Sequence, residues 1–508
     1  MGESLNGDTI ETDVAIVGGG IAGLTAAVGL SETGLDTLVI EKNDRLGGRA
    51  RSWEDPKTGD PVHIGPHIFM SEYPNMLKLL DTLGTEDRVV WQKDRFITMV
   101  DGRKERVMKQ YPLPAPFQYS PALFTELDYS YFDVASNTMV MLYAMQMDEK
   151  DVMHLDRQNA YSFLRSLGVT ETAIEELWQF TCMAIMNVPV QLCSAGALMR
   201  FFKRFIGYNN YEIGFPDGGL GDIYTPEARR RIEDHGGRIM LNTAVEEIAG
   251  TPGEADGVRL EDGRLIEADR VIAAVPPQVL RDIARSEWIK EYDEFRELVH
   301  FDPCPYVSPY LWFDRKLTDQ AFWARSYSPN DLNCDFYDMS NINSGWENRD
   351  SVITSNIIYS KNRGADEMSD DEIVERTVAE ISEYLPEVAE AEVIHSVVNR
   401  IPMAIHCPYP GTEQRRPDTD CSIENLFLAG DFIDTGLPSS MESAAKSGWL
   451  SAEHVLDREG FNRKLSVELK PVEGITGVVD KLARNFPPKK LYQWVRYRVD
   501  SLLGGSAA

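Results

Sequence analysis

The hydrophobic pattern near the N-terminus predicts a strand, a tight turn and a helix in direct succession. Apolar, mostly β-branched residues fill positions 14–17 and stop at three glycines. Apolar residues then recur at helical spacing, at Leu24, Ala27, Val28 and Leu30. A second apolar strand, Thr37–Ile40, ends at Glu41. This order is typical of a parallel α/β sheet whose first strand-to-helix turn binds a nucleotide.

Three later patterns belong to the same kind of sheet. Residues 236–245 indicate a strand that follows a glycine stop, and residues 271–275 form another apolar strand that ends at two prolines. Leu426–Leu428 predicts a short strand ending at Ala429-Gly430-Asp431. Ser439 and Glu442 then have the spacing of a capping box, which predicts a helix start.

The segments between these strands are rich in Met, Phe, Tyr and Leu, above all at positions 139–147, 180–186 and 201–205. Such residues indicate either a helical core or the wall of an apolar tunnel for a flexible hydrocarbon. The longest weakly polar stretch, 182–199, contains Asn187, Gln191 and a Val188-Pro189 step. It is therefore not expected to span a membrane.

Charge divides the 508-residue chain into two unequal parts. The net charge is −30, but residues 460–508 carry nine Lys/Arg and four Asp/Glu, which leaves −35 on residues 1–459. The acidic body argues against a nucleic-acid partner. Within the basic tail, residues 478–508 predict an amphipathic helix with one apolar face, made of Leu491, Trp494, Val495, Val499 and Leu502. Two interpretations stay open: peripheral contact with an anionic membrane, or docking on the body or on another subunit.

The N-terminus shows no secretory signal, and six scattered cysteines without metal-ligand spacing indicate reduced core residues. We therefore expect a cytoplasmic protein, at the inner face of a membrane if the tail binds lipid, with no metal site. The oligomeric state is left open by the sequence.

The glycines of the first turn have separate roles. Gly18 permits the tight turn, Gly20 lets the backbone approach a pyrophosphate, and Gly23 lets the helix pack close to the strand. Glu41 can accept hydrogen bonds from both ribose hydroxyls. A second glycine pair with arginine, Gly47-Gly48-Arg49, follows directly and favours FAD over NAD, with Arg49 either neutralising phosphate or facing the flavin.

These motifs resemble those of the FAD-dependent amine oxidase and phytoene desaturase superfamily. The resemblance covers about 13–456 and is strongest in two blocks, VAIVGGGIAGL…VIEKNDRLGGRARS and NLFLAGDFIDTGLPSSMESAAKSGWLSAEHV. It implies a Rossmann-like, GR2-type FAD-binding domain, with the Met441 amide and its helix facing the flavin and the Val245 backbone contacting adenine. The cofactor-binding residues so implied are Gly18, Gly20, Ala22, Gly23, Glu41, Gly48, Arg49, Gly65, Pro66, His67, Val245, Gly430, Asp431 and Met441. FAD is expected to be non-covalent, because no cysteine lies near 437–441.

Within the superfamily the chain most resembles plant-type carotene desaturases and hydroxysqualene dehydroxylases. Residues 65–69, 73–75, 161–178 and 215–219 carry that resemblance. Amine oxidases often have an aromatic residue where this chain has Ser440, whereas Ser443 departs from the glycine usual in the branch.

The resemblance implies desaturation, or reductive dehydroxylation, of a long apolar isoprenoid such as a carotene precursor or hydroxysqualene. Hydride transfer would involve flavin N5, with quinone or oxygen as the electron acceptor. A flavin amine oxidase acting on a small amine, or a non-catalytic FAD-binding protein, remains the alternative. No catalytic residue is assigned, and His67 is expected to pack near the cofactor, with a role in proton transfer left open.

The expected fold class is thus α/β, with the FAD domain interleaved with a mixed α+β substrate domain. We expect residues 10–75, 217–290 and 405–458 to form the FAD-binding domain. Residues 76–216 and 291–404 would form the substrate-binding domain, and 459–508 the tail.

Overall fold

The computed structural model describes residues 9–93, 95–125, 129–326 and 328–485, and the structural statements below concern these ranges. The strands are β1 (Thr9–Val17), β2 (Thr37–Ile40), β3 (Ser52–Glu54), β4 (Pro61–His63), β5 (Phe69–Met70), β6 (Val89–Gln92), β7 (Ile97–Asp101), β8 (Lys104–Met108), β9 (Ile213–Pro216), β10 (Arg238–Met240), β11 (Val245–Thr251), β12 (Glu254–Leu260), β13 (Leu265–Ala273), β14 (Pro303–Phe313), β15 (Phe322–Arg325), β16 (Asp335–Asp338), β17 (Val352–Ile358), β18 (Val393–His406) and β19 (Leu426–Leu428).

The α-helices are α1 (Ile21–Leu30), α2 (Pro74–Leu83), α3 (Ser120–Thr125), α4 (Tyr131–Ser136), α5 (Thr138–Gln146), α6 (Glu149–Leu155), α7 (Ala160–Ser166), α8 (Glu171–Ala173), α9 (Gln179–Thr181), α10 (Ala195–Gly207), α11 (Thr225–Asp234), α12 (Pro277–Ile283), α13 (Ser286–Glu291), α14 (Asp293–Arg296), α15 (Asp370–Tyr384), α16 (Met441–Arg458) and α17 (Gly474–Asn485). Two π-helical turns, Ile174–Trp178 and Cys182–Met186, flank α9. In the described ranges no helix is long and apolar enough to cross a membrane.

The first seven-stranded sheet carries the N-terminal motif. Its order is β10-β2-β1-β13-β12-β11, with β19 also paired to β13. β10, β2, β1, β13 and β19 run parallel, so their carboxyl ends meet at one edge, where α/β sheets bind ligands. The strands at Thr37–Ile40 and Leu426–Leu428 have the predicted bounds.

Helices α1 and α16 lie side by side on one face of this sheet, and small residues bring them close. A Cβ atom added to Gly448 would lie 2.4 Å from the Ala22 carbonyl oxygen, and one added to Gly29 would lie 3.0 Å from the Cβ of Ala452. This close packing fixes the start of α16 relative to the start of α1. The N-terminal glycine motif and the C-terminal motif, which lie far apart in the sequence, are thereby brought together in the structure.

Two predicted strands need correction. The segment 236–245 is not one strand, because β10 ends at Met240 and Asn242 turns the chain with a positive φ of 52° before β11 begins at Val245. β1 starts at Thr9 rather than at residue 14, since residues 9–12 pair with residues 265–268 of β13 in spite of their polar side chains.

The second seven-stranded sheet has the order β18-β14-β17-β16-β15-β7-β8. All its pairs are antiparallel except β15 with β7. One of its apolar clusters packs Leu311, Trp323 and Phe336 against Ile381 of α15. In another apolar cluster, Tyr310, Phe322 and Tyr337 of the sheet pack against Phe215 of β9. The sheet thus separates a helix-covered side from a side that faces the rest of the molecule.

Helices α5 to α10 form a separate apolar core with the two π-helical turns. The Met-rich segment 139–147 packs in this core, and its residues do not line the cavity described below. α17 docks here as well: Val479 packs against the core, and Lys203 forms an ion pair with Asp480. Residues 486–508, with the predicted apolar face at 491–502, lie outside the described residues.

Candidate active site

A cavity of about 1050 Å³ extends between the two large sheets. Its wall includes the ends of β1 and β2 on one side and residues of β15, β16 and β17 on the other. All the cofactor-binding residues predicted from the sequence line this cavity except Gly23. Gly23 lies behind the wall, where an added Cβ atom would be 1.9 Å from the Gly18 carbonyl oxygen, so its role is to allow helix packing.

Backbone close to the start of α1 leaves room for a bulky anion. Gly18 has a φ of +106°, and Gly20 is the N-cap of α1. A Cβ atom added to Gly20 would meet nothing nearer than the Cα of Gly48 at 3.8 Å. The loop at Gly47 approaches from the other side, where the Gly47 amide donates to the Gly19 carbonyl (2.8 Å). The unpaired amides of the first helical turn therefore face open space that phosphate groups can fill.

Glu41 is held in place at the end of β2. Its Oε2 accepts a hydrogen bond from the Gly19 amide (2.8 Å), and its Oε1 accepts from the Asn43 amide (2.9 Å) and side chain (2.5 Å). The carboxylate still lines the cavity. Because a carboxylate oxygen accepts more than one hydrogen bond, Glu41 retains capacity for ribose hydroxyls.

Arg49 and Asp431 join the N-terminal and C-terminal motifs. The guanidinium Nη2 lies 2.6 Å from Asp431 Oδ1, and Ser439 donates a short hydrogen bond to the same carboxylate. Burial alone would raise the pKa of Asp431, but the charges of Arg49 and His406 and these hydrogen bonds hold it at about 2. Arg49 is thus paired within the protein while its side chain also borders the cavity.

The start of α16 differs from the predicted capping box. Ser440, not Ser439, is the N-cap, and its side chain accepts from the Ser443 amide (3.2 Å). Glu442 does not return to the cap; its carboxylate accepts hydrogen bonds from the amides of Asn75 and Met76 and so caps α2. The reason is that Ser439 is engaged by Asp431, which leaves Met441 as the first helical residue at the cavity wall.

The segment Gly65-Pro66-His67 lines the same cavity as the start of α16. His67 Nδ1 is 2.8 Å from the Gly65 carbonyl, and burial lowers its pKa, so the imidazole is neutral. Asn356 of β17 donates from Nδ2 to the Pro66 carbonyl at 3.3 Å. The second sheet therefore positions this segment directly.

Aromatic side chains form the far wall of the cavity. Phe205 is their centre, with its ring centroid 5.4 Å from that of Phe96 and 5.8 Å from that of Tyr211. Tyr119, which does not line the cavity, stacks on Phe205 with a centroid distance of 4.9 Å. Phe180, Phe201 and Ile185 add further apolar surface. Segments 180–186 and 201–205 each contribute residues both to the cavity wall and to the helical core, whereas 139–147 packs in the core alone. That the wall holds a flexible hydrocarbon stays a prediction.

A few polar residues interrupt this wall, and the sequence had not indicated them. They include Asn187, Tyr306, Asp335, Tyr337 and Asn356, and the charged residues Arg106, Glu176 and Arg204 also line the cavity. Asp335 and Tyr337 are two residues apart on β16, so their side chains lie on the same face of the strand. The sequence of β16 contains no recognisable motif. All these residues lie in otherwise ordinary strands, helices or turns, so only the tertiary structure brings them together.

Comparisons with known proteins agree with this geometry. The family model described as "Flavin containing amine oxidoreductase" matches residues 21–456. The 15-cis-phytoene desaturase of Synechococcus elongatus is 28% identical over 460 residues, which are 88% of this chain and 96% of that protein. The zeta-carotene desaturase of Arabidopsis thaliana is 24% identical over 518 residues, covering 92% and 89% of the two chains.

Solved structures share the fold. Putrescine oxidase with bound putrescine superposes with a TM-score of 0.66 at 18% identity, covering 89% of this chain and 100% of that one. Cyclohexylamine oxidase from Brevibacterium oxydans superposes with a TM-score of 0.65 at 15% identity, covering 88% of this chain and 99% of that one. The predicted α/β class with a Rossmann-like nucleotide-binding domain is confirmed.

Proposed function

This chain belongs to the flavin-containing amine oxidoreductase family, and on that premise we propose that it desaturates a long apolar isoprenoid of the carotene-precursor type. Membership confirms the predicted family, the FAD cofactor and the oxidoreductase class. The observation that carries the finer proposal is the aromatic and aliphatic wall around Phe205, which continues the cofactor side of the cavity. Such a wall offers contact area to a hydrocarbon and few hydrogen bonds to a polar substrate.

We propose that FAD lies along the predicted residues. The glycine backbone at Gly18, Gly20 and Gly48 would face the pyrophosphate, Glu41 the ribose, and the Val245 backbone the adenine. Gly430, the Arg49–Asp431 pair, Met441 and the 65–67 segment would hold the flavin end. Ala22, at the start of α1, would contribute to the pyrophosphate site, and Gly23 would support it from behind.

Bound FAD supplies the acceptor, at flavin N5, for a hydride from an allylic C–H bond. The chain's own residues would hold the polyene flat against this position, exclude water and receive the proton. Quinone or oxygen would be the final electron acceptor. We propose that FAD is held non-covalently, since no described cysteine lies at the start of α16. Reductive dehydroxylation of a related isoprenoid is the variant of this reaction that the same wall would accommodate.

Anaerobic mixing of the FAD-loaded protein with lipid-dispersed phytoene or ζ-carotene tests this proposal. We expect bleaching of the oxidised flavin and a longer conjugated product. Putrescine and cyclohexylamine, the substrates suggested by the structural relatives, should leave the flavin oxidised. Bleaching by an amine and not by the polyenes would contradict the proposal in favour of amine oxidation.

We also propose peripheral contact with the cytoplasmic face of a membrane through residues 478–508. In the described part, α17 turns Ile475, Val478 and Leu482 outward, with 41%, 57% and 53% of their surfaces exposed. These residues lead directly into the basic aromatic sequence that follows. A lipid-soluble substrate would then reach the cavity without crossing water.

A further inference from the structure

One buried carboxyl group in the cavity is not explained by cofactor binding. Asp335, the first residue of β16, is 8% exposed, and it borders the cavity. Its Oδ2 accepts a hydrogen bond from the Tyr337 hydroxyl (3.0 Å), and its Oδ1 accepts from the Asn356 amide (3.2 Å). Among the described residues, no lysine, arginine or histidine forms an ion pair with it. A buried carboxyl group normally forms an ion pair with a cationic side chain, so a buried carboxyl group without one is a candidate for a functional role.

The cations on neighbouring elements are engaged elsewhere. Arg325 of β15 forms ion pairs with the carboxylates of Asp331, Glu380 and Glu383. Arg363, which follows β17, donates to the carbonyl oxygens of Asp331 and Ser328 and lies 3.6 Å from Cys334 Sγ.

The other titratable groups near Asp335 are Tyr306 of β14, Cys334 and Tyr337. Burial raises the pKa of all three, so each is neutral at physiological pH. Burial likewise raises the pKa of Asp335, to about 6, against the hydrogen bonds from Tyr337 and Asn356.

Asn356 places Asp335 at the reacting end of the cavity. Its backbone amide contacts Asp335, and its side-chain amide contacts the Pro66 carbonyl at 3.3 Å. One residue therefore separates the carboxyl group from the 65–67 segment to which the flavin is assigned. On its other side, Tyr337 continues into the aromatic wall, with its ring centroid 4.8 Å from that of Phe322. A hydrocarbon held between the wall and the 65–67 segment would pass Asp335.

Three other titratable residues that line the cavity, Asp431, Glu41 and His67, are less suited to accept a proton. Asp431 is paired with Arg49 and has a pKa of about 2, so it is a weak base. Glu41 is held by backbone amides at the nucleotide end. His67 Nδ1 contacts the Gly65 carbonyl, and its lowered pKa weakens it as a base. A base near neutrality is the most effective at physiological pH.

We propose that Asp335 is a catalytic proton acceptor in this site, an assignment that rests on the proposed desaturation. One carbon of the substrate loses a hydride, with both electrons of its C–H bond, to the oxidised flavin. The adjacent carbon loses its hydrogen as a proton to a carboxylate oxygen of Asp335, and the electron pair left behind becomes the new C=C bond. The carboxyl group then releases the proton to solvent, and quinone or oxygen takes up the two electrons.

The test compares Asp335→Asn with Tyr337→Phe and with the exposed control Asp319→Asn in the FAD-loaded protein. The first readout needs no substrate: infrared difference spectra follow carboxyl protonation across pH. Burial also raises the pKa of Glu442, to about 7, so the spectra should contain its carboxyl signal in every variant. We expect a second carboxyl group titrating near pH 6 in the wild type and in Asp319→Asn, and the loss of that group alone in Asp335→Asn. In Tyr337→Phe the midpoint should move to higher pH, because a hydrogen bond to the carboxylate is lost. A wild-type spectrum without this carboxyl, or one that Asp335→Asn leaves unchanged, would overturn the assignment.

The second readout is the anaerobic rate of flavin reduction by the polyene. In the wild type it should rise with pH through about 6, where the carboxylate forms, and then level off. Asp335→Asn should lower it by about 10²–10⁴-fold and remove this rise, with flavin content unchanged. Wild-type rates and pH profile in Asp335→Asn would refute the proton-acceptor role alone. Absence of polyene oxidation in the wild type would refute the proposed function itself, together with the role that depends on it.

Discussion

The two ends of the cavity are built by different means. At the nucleotide end, the wall consists of glycine backbone, helix starts and the fixed carboxylate of Glu41, all at the carboxyl edge of a parallel sheet. At the other end, the wall consists of side chains from helices and an antiparallel sheet, mostly aromatic. Backbone amides bind a phosphate in the same way whatever the neighbouring side chains are. A wall made of side chains, in contrast, changes its shape and polarity with each substitution. Short sequence motifs therefore predict the nucleotide end, and we propose that the other end determines the substrate specificity.

Asp431 and Asp335 show the same contrast in a single type of side chain. Both are buried, yet Asp431 pairs with Arg49 and has a pKa of about 2, while Asp335 lacks a cation and has a pKa of about 6. The first is suited to remain charged and to fix two motifs together. The second is suited to take up and release a proton.

The largest effect is expected from Gly20→Val, which tests the nucleotide end alone. The protein leaves open space beside Gly20, so a valine side chain should be tolerated in the fold but should occupy the pyrophosphate position. We expect a folded protein without flavin absorbance. Gly253→Ala, at a site where nothing lies within 4 Å, is the matched control and should bind FAD normally. Full flavin content in Gly20→Val would show that the phosphates lie elsewhere.

Arg49→Met should weaken the fold by about 3 kcal/mol in the apo protein, because it leaves Asp431 buried without its partner. The midpoint of urea unfolding measures this loss. Arg45→Met removes an exposed ion pair with Asp44 and should cost much less stability, because water already screens that pair. Equal costs for the two variants would mean that Arg49 and Asp431 do not join the motifs.

Asp335 should make a pH-dependent contribution of about 1.4 kcal/mol to the free energy of unfolding between pH 5 and pH 8. Its pKa of about 6 lies above the ordinary aspartate value of 3.8, so the folded state binds the proton more tightly than the unfolded state does. The stabilisation is fully present below pH 3.8 and is lost as the pH rises through 6. The free energy of unfolding at pH 8 minus that at pH 5 should therefore be about 1.4 kcal/mol more positive in Asp335→Asn than in the wild type. An equal pH difference in the two proteins, measured by urea unfolding, would contradict the raised pKa.

The smallest change in stability is expected on the outer side of α17. Val478→Ser alters a residue that is 57% exposed and should change stability by less than about 0.5 kcal/mol, while weakening flotation with anionic vesicles. Val479→Ser, one residue further along, faces the helical core and should be the more destabilising of the two. Unchanged flotation of Val478→Ser would argue that α17 is only a docked helix.

The structure brings the predicted cofactor-binding residues other than Gly23 together at one cavity, and the sequence could indicate them because most lie next to each other in two motifs. That FAD binds them stays a prediction. The strand bounds at Thr37–Ile40 and the cavity position of Arg49 followed from local pattern and resemblance. The capping box at Ser439 was wrong, since tertiary contacts with Asp431 and Asn75 compete for the same side chains. Asp335 could not be found, because its burial, its lack of an ion pair and its link to Pro66 through Asn356 are properties of the assembled sheets.

The most direct test of the account is to measure FAD and lipid content together in purified wild-type, Gly20→Val and Ala184→Trp proteins. Ala184 lines the apolar end, so tryptophan there should fill it, and the exposed Ala389→Trp is the control. Mass spectrometry of the wild type and the control should find FAD and an isoprenoid lipid. Gly20→Val should lose FAD and keep the lipid, and Ala184→Trp should keep FAD and lose the lipid. Wild-type protein that carries no isoprenoid, or loss of both molecules in either variant, would contradict a cavity with separate cofactor and isoprenoid ends.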